Sequence, residues 1–414
     1  MSDPLRQLGT EIRGIVSACT AHPLVIAATL EEALAQGQYG LIECTCNQVN
    51  HRGGYTGMTP VDFVAEVKRI AASVGFPAEK LLFGGDHLGP NPWRHLSAGE
   101  AIAEARLMMQ AYAEAGISKL HLDCSMGCAG EPVALDDATT AARAAELCAV
   151  AEGVGGDFVY IIGTEIPAPG GAHEELTDLV PTKPEAVHET YAVHKRMFKA
   201  KGLGAAFDRV IAIVVQPRVE SAQMSVVIYD RDRAHGLVAA RADLPGLVYE
   251  AHSTDYQTAA ALRALVDDGF AILKVGPSLT FALRETLYGL EMAAAEVDGE
   301  ARHLRDTMER LMLAEPSVWK EHIHGDAKSQ QSQRHYGLAD RIRYYWGHQE
   351  AKAAMADLYA RYRKTRPHIG ILSQYLSGLL IKEALEAGDD LGEPDGLIRR
   401  AVRRSIRPWM EACA

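Results

Sequence analysis

The chain has 414 residues, 48% of them hydrophobic and 23% charged, a mixture that excludes a disordered chain. Its 42 Lys and Arg against 54 Asp and Glu leave a formal charge of −12, which argues against non-specific binding to nucleic acid or anionic membranes. No apolar run approaches the roughly 20 residues that span a bilayer, and residues 1–13 carry charges and no apolar signal core, so a cytoplasmic protein is expected.

Eight short apolar runs follow one another along the chain, each leading through a polar or Gly-rich loop into a helical stretch. They are Gly14–Ala18, Leu41–Thr45, Leu81–Gly85, Lys119–Asp123, Phe158–Ile162, Val210–Val215, Leu247–Glu250 and Ala271–Val275. The intervening helices are predicted from Pro23, Pro60, Ser97, Leu135, Pro184 and Arg233, with two more ending near Asp268 and Ala294. Runs this apolar suit parallel strands covered on both faces. Eight βα units in roughly 280 residues predict a (β/α)8 barrel. A doubly wound open sheet is the alternative, but it wants a Gly-rich phosphate loop after its first strand, and Cys19–Pro23 has none. Beyond residue 299 strand signals vanish, so a barrel domain (1–299) carrying a helical C-terminal extension (300–414) is expected.

Such a barrel carries its chemistry at the C-terminal ends of its strands. There this sequence is polar: Glu43, Asp86 and His87, His121 and Asp123, Thr164 and Glu165, Gln216 and Arg218, Glu250 and His252, Lys274. Unpaired burial of so many charges would cost several kcal/mol each, which favours a working site over chance. His87 and His252, with Glu165 or Asp123, make a divalent metal site suited to zinc or another transition metal. The alternative is a pair of hydrogen-bonded core histidines. Asp86, Glu165 and Asp123 are the acid–base candidates, and Glu43, Asn47, Gln216 and Lys274 are expected to meet substrate. Gly276-Pro-Ser278-Leu-Thr280 opens a helix after the eighth strand, where amide N–H groups favour a phosphate. Arg341 and Arg343 are the guanidinium donors that would join it.

The seven cysteines, an odd number scattered along a long chain, read as free thiols. Cys44-x-Cys46 and Cys124-x3-Cys128 lack zinc-ribbon spacing. The loop Asn47–Met58, with Gly53, Gly54 and Gly57, is long enough for a lid, or for a rigid turn over the barrel mouth.

Several longer strings are specific. Glu43 with Asn47-Gln-Val-Asn50, Gly53-Gly-Tyr-Thr-Gly-Met58, Gly84-Gly-Asp-His-Leu-Gly-Pro-Asn91, Glu250-Ala-His-Ser-Thr-Asp-Tyr-Gln257 and Asp340-Arg-Ile-Arg-Tyr-Tyr-Trp346 resemble the GatZ/KbaZ family. That family supplies the Z subunit of D-tagatose-1,6-bisphosphate aldolase. The resemblance implies an architecture like that of class II aldolases, and Asp86-His87 is similar to their metal-dependent Asp-His pair. The family's names disagree among accessory aldolase subunit, tagatose 6-phosphate kinase and sugar-phosphate 4-epimerase. No Walker-type loop supports a kinase. An accessory subunit has no need of the polar ring. The expectation is therefore a metal-dependent isomerase that inverts C4 between D-tagatose 6-phosphate and D-fructose 6-phosphate. The alternatives are a non-catalytic partner stabilising a class II aldolase, or a 4-epimerase of an unphosphorylated ketose or a uronate. A homo-oligomer is compatible with either.

Overall fold

Each apolar run becomes a strand, and the strands close on themselves. The structure, a computed structural model, describes residues 3–164 and 179–414. The barrel strands are β1 (Ile15–Cys19), β2 (Gly40–Thr45), β3 (Leu81–Leu88), β4 (Lys119–Leu122), β5 (Val159–Gly163), β6 (Val210–Val215), β7 (Val248–Ala251) and β8 (Ile272–Val275). All pair in parallel and in chain order, and β8 returns to β1 through Ile15 opposite Ile272, so the (β/α)8 barrel is closed.

Around it run α1 (Pro23–Ala35), α2 (Pro60–Ser73), α3 (Ala98–Glu114), α4 (Asp137–Val154), α5 (Pro184–Ala200), α6 (Arg231–Ala240), α7 (Ala259–Asp267) and α8 (Pro277–Asp298). Local chemistry sets their starts. Thr59 with Asp62 and Ser97 with Glu100 form reciprocal caps, and Asp136 and Thr258 each accept from the amide three residues on. The chain then continues as α9 (His303–Ala314), α10 (Ala327–Tyr336), α11 (Gln349–Thr365), α12 (Ile369–Tyr375), α13 (Gly378–Glu386) and α14 (Pro394–Cys413). The last of these, α14, packs against α1, α7, α8 and β1, inside the ring of helices. Its arginines 403 and 407 both bond Glu32 of α1. Among the described residues no helix is long and apolar enough to cross a membrane.

Strand alternation sorts the barrel interior into layers. At the bottom lie Ile15, Leu41, Val159, Val248 and Ile272, plugged by Leu5 and Leu8 from the N-terminal turn. Two residues further along, the same faces carry Glu43, Glu250 and Lys274, joined by Lys119 of β4. Gly84 on β3 leaves room for this layer, because a Cβ there would lie 2.6 Å from the Glu43 carboxylate.

One strand departs from expectation. β3 does not stop at Gly85 but runs to Leu88, with its register to β4 shifting between Gly85 and Leu88. Asp86 and His87 are neighbours, so a regular strand would send them to opposite faces. His87 instead adopts a left-handed φ of 49°, a conformation that costs a non-glycine residue about 1–3 kcal/mol. The bulge turns both side chains into the barrel mouth.

Candidate functional site

The ionic layer forms the floor. Lys119 Nζ lies 2.8 Å from Glu43 Oε1 and 2.7 Å from Glu250 Oε2, with all three side chains fully buried. Lys274 Nζ lies 2.5 Å from Glu43 Oε2 and 2.9 Å from Asp86 Oδ1. Burial alone would raise the Asp86 carboxyl, but His87, Lys274 and His121 outweigh it and hold it well below the usual carboxylate range. For Glu250 the same opposition is won by Lys119 and His252, which keep it ionised. Lys274, despite burial, is pushed well above its ordinary value by Asp86 and Glu43, so it stays an ammonium.

Above the floor stand three imidazoles. The ring centres of His87, His121 and His252 are 4.9, 5.1 and 5.3 Å apart. A tetrahedral ion about 2.1 Å from each ring nitrogen would set ring centres about 5.2 Å from one another. Each ring also has one nitrogen anchored from behind. His87 Nδ1 is 2.8 Å from Asp123 Oδ2, His252 Nε2 is 2.9 Å from Glu250 Oε1, and His121 Nε2 is 3.0 Å from the Gly163 carbonyl oxygen. Metal-binding histidines are oriented by this kind of outer acceptor, which fixes the tautomer and directs the other nitrogen inward. With its proton on Nε2, His121 accepts at Nδ1 from the His87 backbone N–H, 3.2 Å away, and the same nitrogen lies 3.0 Å from Asp86 Oδ1. Asp86, His121, Glu250 and His252 offer ligand atoms that all lie within 4.8 Å of one another. The donor set therefore fits a divalent metal ion.

These groups open on a cavity of about 180 Å³. Asn47, Asp86, His87, His252, Lys274, Gly276, Arg343 and Tyr344 are among its lining residues, together with Gln48 and Tyr55 of the long loop. The cavity meets a second chamber of about 660 Å³, and Cys19, Gln48, Tyr55, Gly276 and Arg343 border both. The long loop is a folded turn. Asn50 Oδ1 accepts from the amides of Arg52 and Gly54, and its Nδ2 donates to the Cys46 carbonyl. All seven cysteines are free thiols, and burial raises those of Cys44, Cys46 and Cys124, which makes them poor nucleophiles.

The structure thus brings Asp86, His87, His252, Lys274, Asn47 and Arg343 to one cavity and places other candidates elsewhere. Glu43 sits beneath the site, clamped by two lysines. Asp123 stands behind His87 as its orienting acceptor. Gln216 turns its Oε1 back to the Val219 amide, and Arg341 donates to the Val318 carbonyl. The amides of Gly276 and Ser278, expected to cradle a phosphate, both donate to Asp255 Oδ1, at 3.2 and 2.7 Å. That carboxylate occupies the helix start. Glu165 lies outside the described residues. Sequence reasoning left three participants unassigned: Lys119, His121 as an inward ligand, and Asp255.

Fold and site together define a parallel barrel protein with an imidazole–carboxylate centre at its C-terminal mouth. The chain belongs to the GatZ/KbaZ-like family. Residues 5–414 match the family model described as D-tagatose-1,6-bisphosphate aldolase subunit GatZ/KbaZ-like. It is 53% identical over 407 residues, 96% of this chain and 94% of the relative, to a protein of Agrobacterium fabrum named D-tagatose 6-phosphate 4-epimerase. A crystal structure from Sinorhizobium meliloti 1021, described as a probable tagatose 6 phosphate kinase, is 50% identical and superposes with a TM-score of 0.88 over 97% of this chain and all of that one. A glycerol-complexed structure of the fructuronate-tagaturonate epimerase UxaE from Cohnella laeviribosi shares the fold at 13% identity, with a TM-score of 0.52 over 99% of this chain and 84% of the other.

Proposed function

We propose that the chain is a carbohydrate 4-epimerase that interconverts D-tagatose 6-phosphate and D-fructose 6-phosphate by retro-aldol and aldol steps. The observation that carries this reading is the gathering of ligand atoms from Asp86, His121, Glu250 and His252 within 4.8 Å of one another, with the His87 ring beside them. The name of the Agrobacterium relative and the family's tie to aldolases point to the same chemistry.

His87, His121 and His252 would hold a divalent ion, for which zinc suits the nitrogen donors, with Asp86 and Glu250 adjoining. When bound, the ion supplies Lewis acidity toward the oxygens at C2 and C3. The chain's own residues do the rest. Asp86 takes the proton of the C4 hydroxyl. The C3–C4 bond breaks, its electron pair moving onto the C2 carbonyl, to give a three-carbon enediolate and an aldehyde that keeps the phosphate. The aldehyde turns and C3 adds to its other face. Lys274, held as an ammonium, stabilises negative charge on the sugar oxygens. Arg343 is the cavity-lining guanidinium in reach of a phosphate, and holding that group keeps the aldehyde fragment in place between cleavage and re-addition.

The test is direct. Purified chain, loaded with a divalent metal, is given D-tagatose 6-phosphate and assayed for D-fructose 6-phosphate. Formation of the product supports the proposal. No turnover, with stabilisation of an added class II aldolase, would replace it by the accessory role that the family description favours. Turnover of an unphosphorylated ketose or a uronate in its place would move the substrate class.

A further inference from the structure

Inversion at C4 sets a demand that Asp86 alone does not meet. The C4 oxygen leaves one side of the carbon as a hydroxyl and returns on the other as an alkoxide. The group that removes the first proton therefore faces away from the oxygen that needs the last one. From the geometry, and resting on the epimerase reading, we infer that Tyr344 is the second acid–base residue and protonates the C4 alkoxide after the aldehyde has turned.

Tyr344 lines the same cavity as Asp86, His87 and Lys274, but comes from the 3-10 turn Arg341–Tyr345 of the C-terminal segment and not from a barrel strand. Its hydroxyl accepts from Arg343 Nη2 at 3.0 Å, and the Arg343 guanidinium also sits over the ring, 4.5 Å from its centre. Tyr55 packs edge-on against it with ring centres 4.9 Å apart, so the phenol is held in place. The groups facing it are Arg341 and Arg343 of its own turn, Tyr55 of the loop after β2 and Cys19 at the end of β1. Asp255 and Asp340 face Arg343 in turn. Burial would raise the Tyr344 hydroxyl, but the two arginines outweigh it and bring it below the ordinary phenol value, which favours proton release.

The steps balance. Asp86 gains the C4 hydroxyl proton, the C3–C4 pair moves to the enediolate and returns to the other face of C4, and the Tyr344 O–H bond breaks as the new C4 hydroxyl forms. Asp86 then loses its proton to solvent and the tyrosinate regains one. In the reverse direction Tyr344 acts as the base and Asp86 as the acid.

The experiment compares wild type, Tyr344→Phe and a chain with 3-fluorotyrosine at 344, all metal-loaded, in both directions. Wild-type turnover comes first, since its absence refutes the epimerase reading and not the role of Tyr344. The expected result for Tyr344→Phe is a kcat about 10²–10⁴-fold lower both ways, with KM changed by less than about threefold. The fluorinated phenol, nearly the same shape, is expected to keep turnover and, in the direction in which Tyr344 is the acid, to move the alkaline limb of the kcat–pH profile to lower pH. A Tyr344→Phe chain that keeps kcat within about fivefold, a loss confined to KM, or an unmoved alkaline limb in the fluorinated chain each overturns the assignment.

Discussion

Lys119→Met tests the ionic layer most sharply. Lys119 is fully buried and its ammonium serves two carboxylates at 2.8 and 2.7 Å. Methionine is close in length and fills the same space, so packing changes little and the charge alone is lost. Glu43 keeps Lys274 in direct contact, whereas Glu250 keeps His252 and the longer-range field of Lys274. Removing one partner of a buried pair leaves an uncompensated charge and costs about 3–5 kcal/mol, a large part of the 5–15 kcal/mol that holds a typical protein folded. With a urea m-value of about 3 kcal/mol/M, the unfolding midpoint should fall by about 1 M or more. The double variant Lys119→Met/Glu250→Gln should recover part of the loss, because it removes with the ammonium the carboxylate that loses its direct lysine contact. A single variant within about 1 kcal/mol of wild type would show that the carboxylates find other relief, and would refute the reasoning.

His87→Ala and His252→Ala should each lower the metal retained after gel filtration, measured by elemental analysis; unchanged content in both would remove the ligand set. Arg343→Gln should raise KM for D-tagatose 6-phosphate by about tenfold or more, from the loss of a charge-assisted hydrogen bond of about 1.5–3 kcal/mol, and equal KM values would place the phosphate elsewhere. Gly84→Ala should destabilise by about 1–3 kcal/mol, because its Cβ meets a carboxylate that two lysines prevent from moving; thermal melting checks it, and an unchanged Tm would mean that Glu43 yields. His194 is buried, which lowers its pKa to about 4 against a carbonyl hydrogen bond from Thr190 that raises it. Since the unfolded chain protonates first, near 6.5, this histidine's stability contribution is intact at neutral pH and lost as pH falls toward 4. By pH 5 the loss is about 2 kcal/mol, and urea midpoints at pH 7 and 5 should converge for His194→Gln relative to wild type.

The barrel was legible because each strand is a short apolar run, most of them β-branched, with punctuation on both sides, and the polar residues near the strand ends pointed to the mouth. Lys119 is legible only through strand alternation. Lys119, His121 and Asp123 are spaced by two, so a strand sets them on one face, and that face looks inward. The inward turn of His87 was not readable, because a left-handed residue inside an apolar strand leaves no compositional mark. Nor was Asp255, whose capture of the Gly276 and Ser278 amides depends on two loops meeting. Arg341 and Arg343 stood out together as basic residues in an aromatic cluster; both guanidinium groups donate to backbone carbonyls, and only tertiary packing sets Arg343 against the cavity and Arg341 away from it.

The charges gathered at the mouth have an arithmetic of their own. Four carboxylates, Glu43, Asp86, Asp123 and Glu250, face two ammonium groups, Lys119 and Lys274, in a space that water scarcely reaches. Counting these six groups alone, the hollow is short by two positive charges, the valence of a dication. A monovalent ion would correct only half of that deficit, so charge balance alone would favour a dication over sodium or potassium at this place before any coordination preference acts.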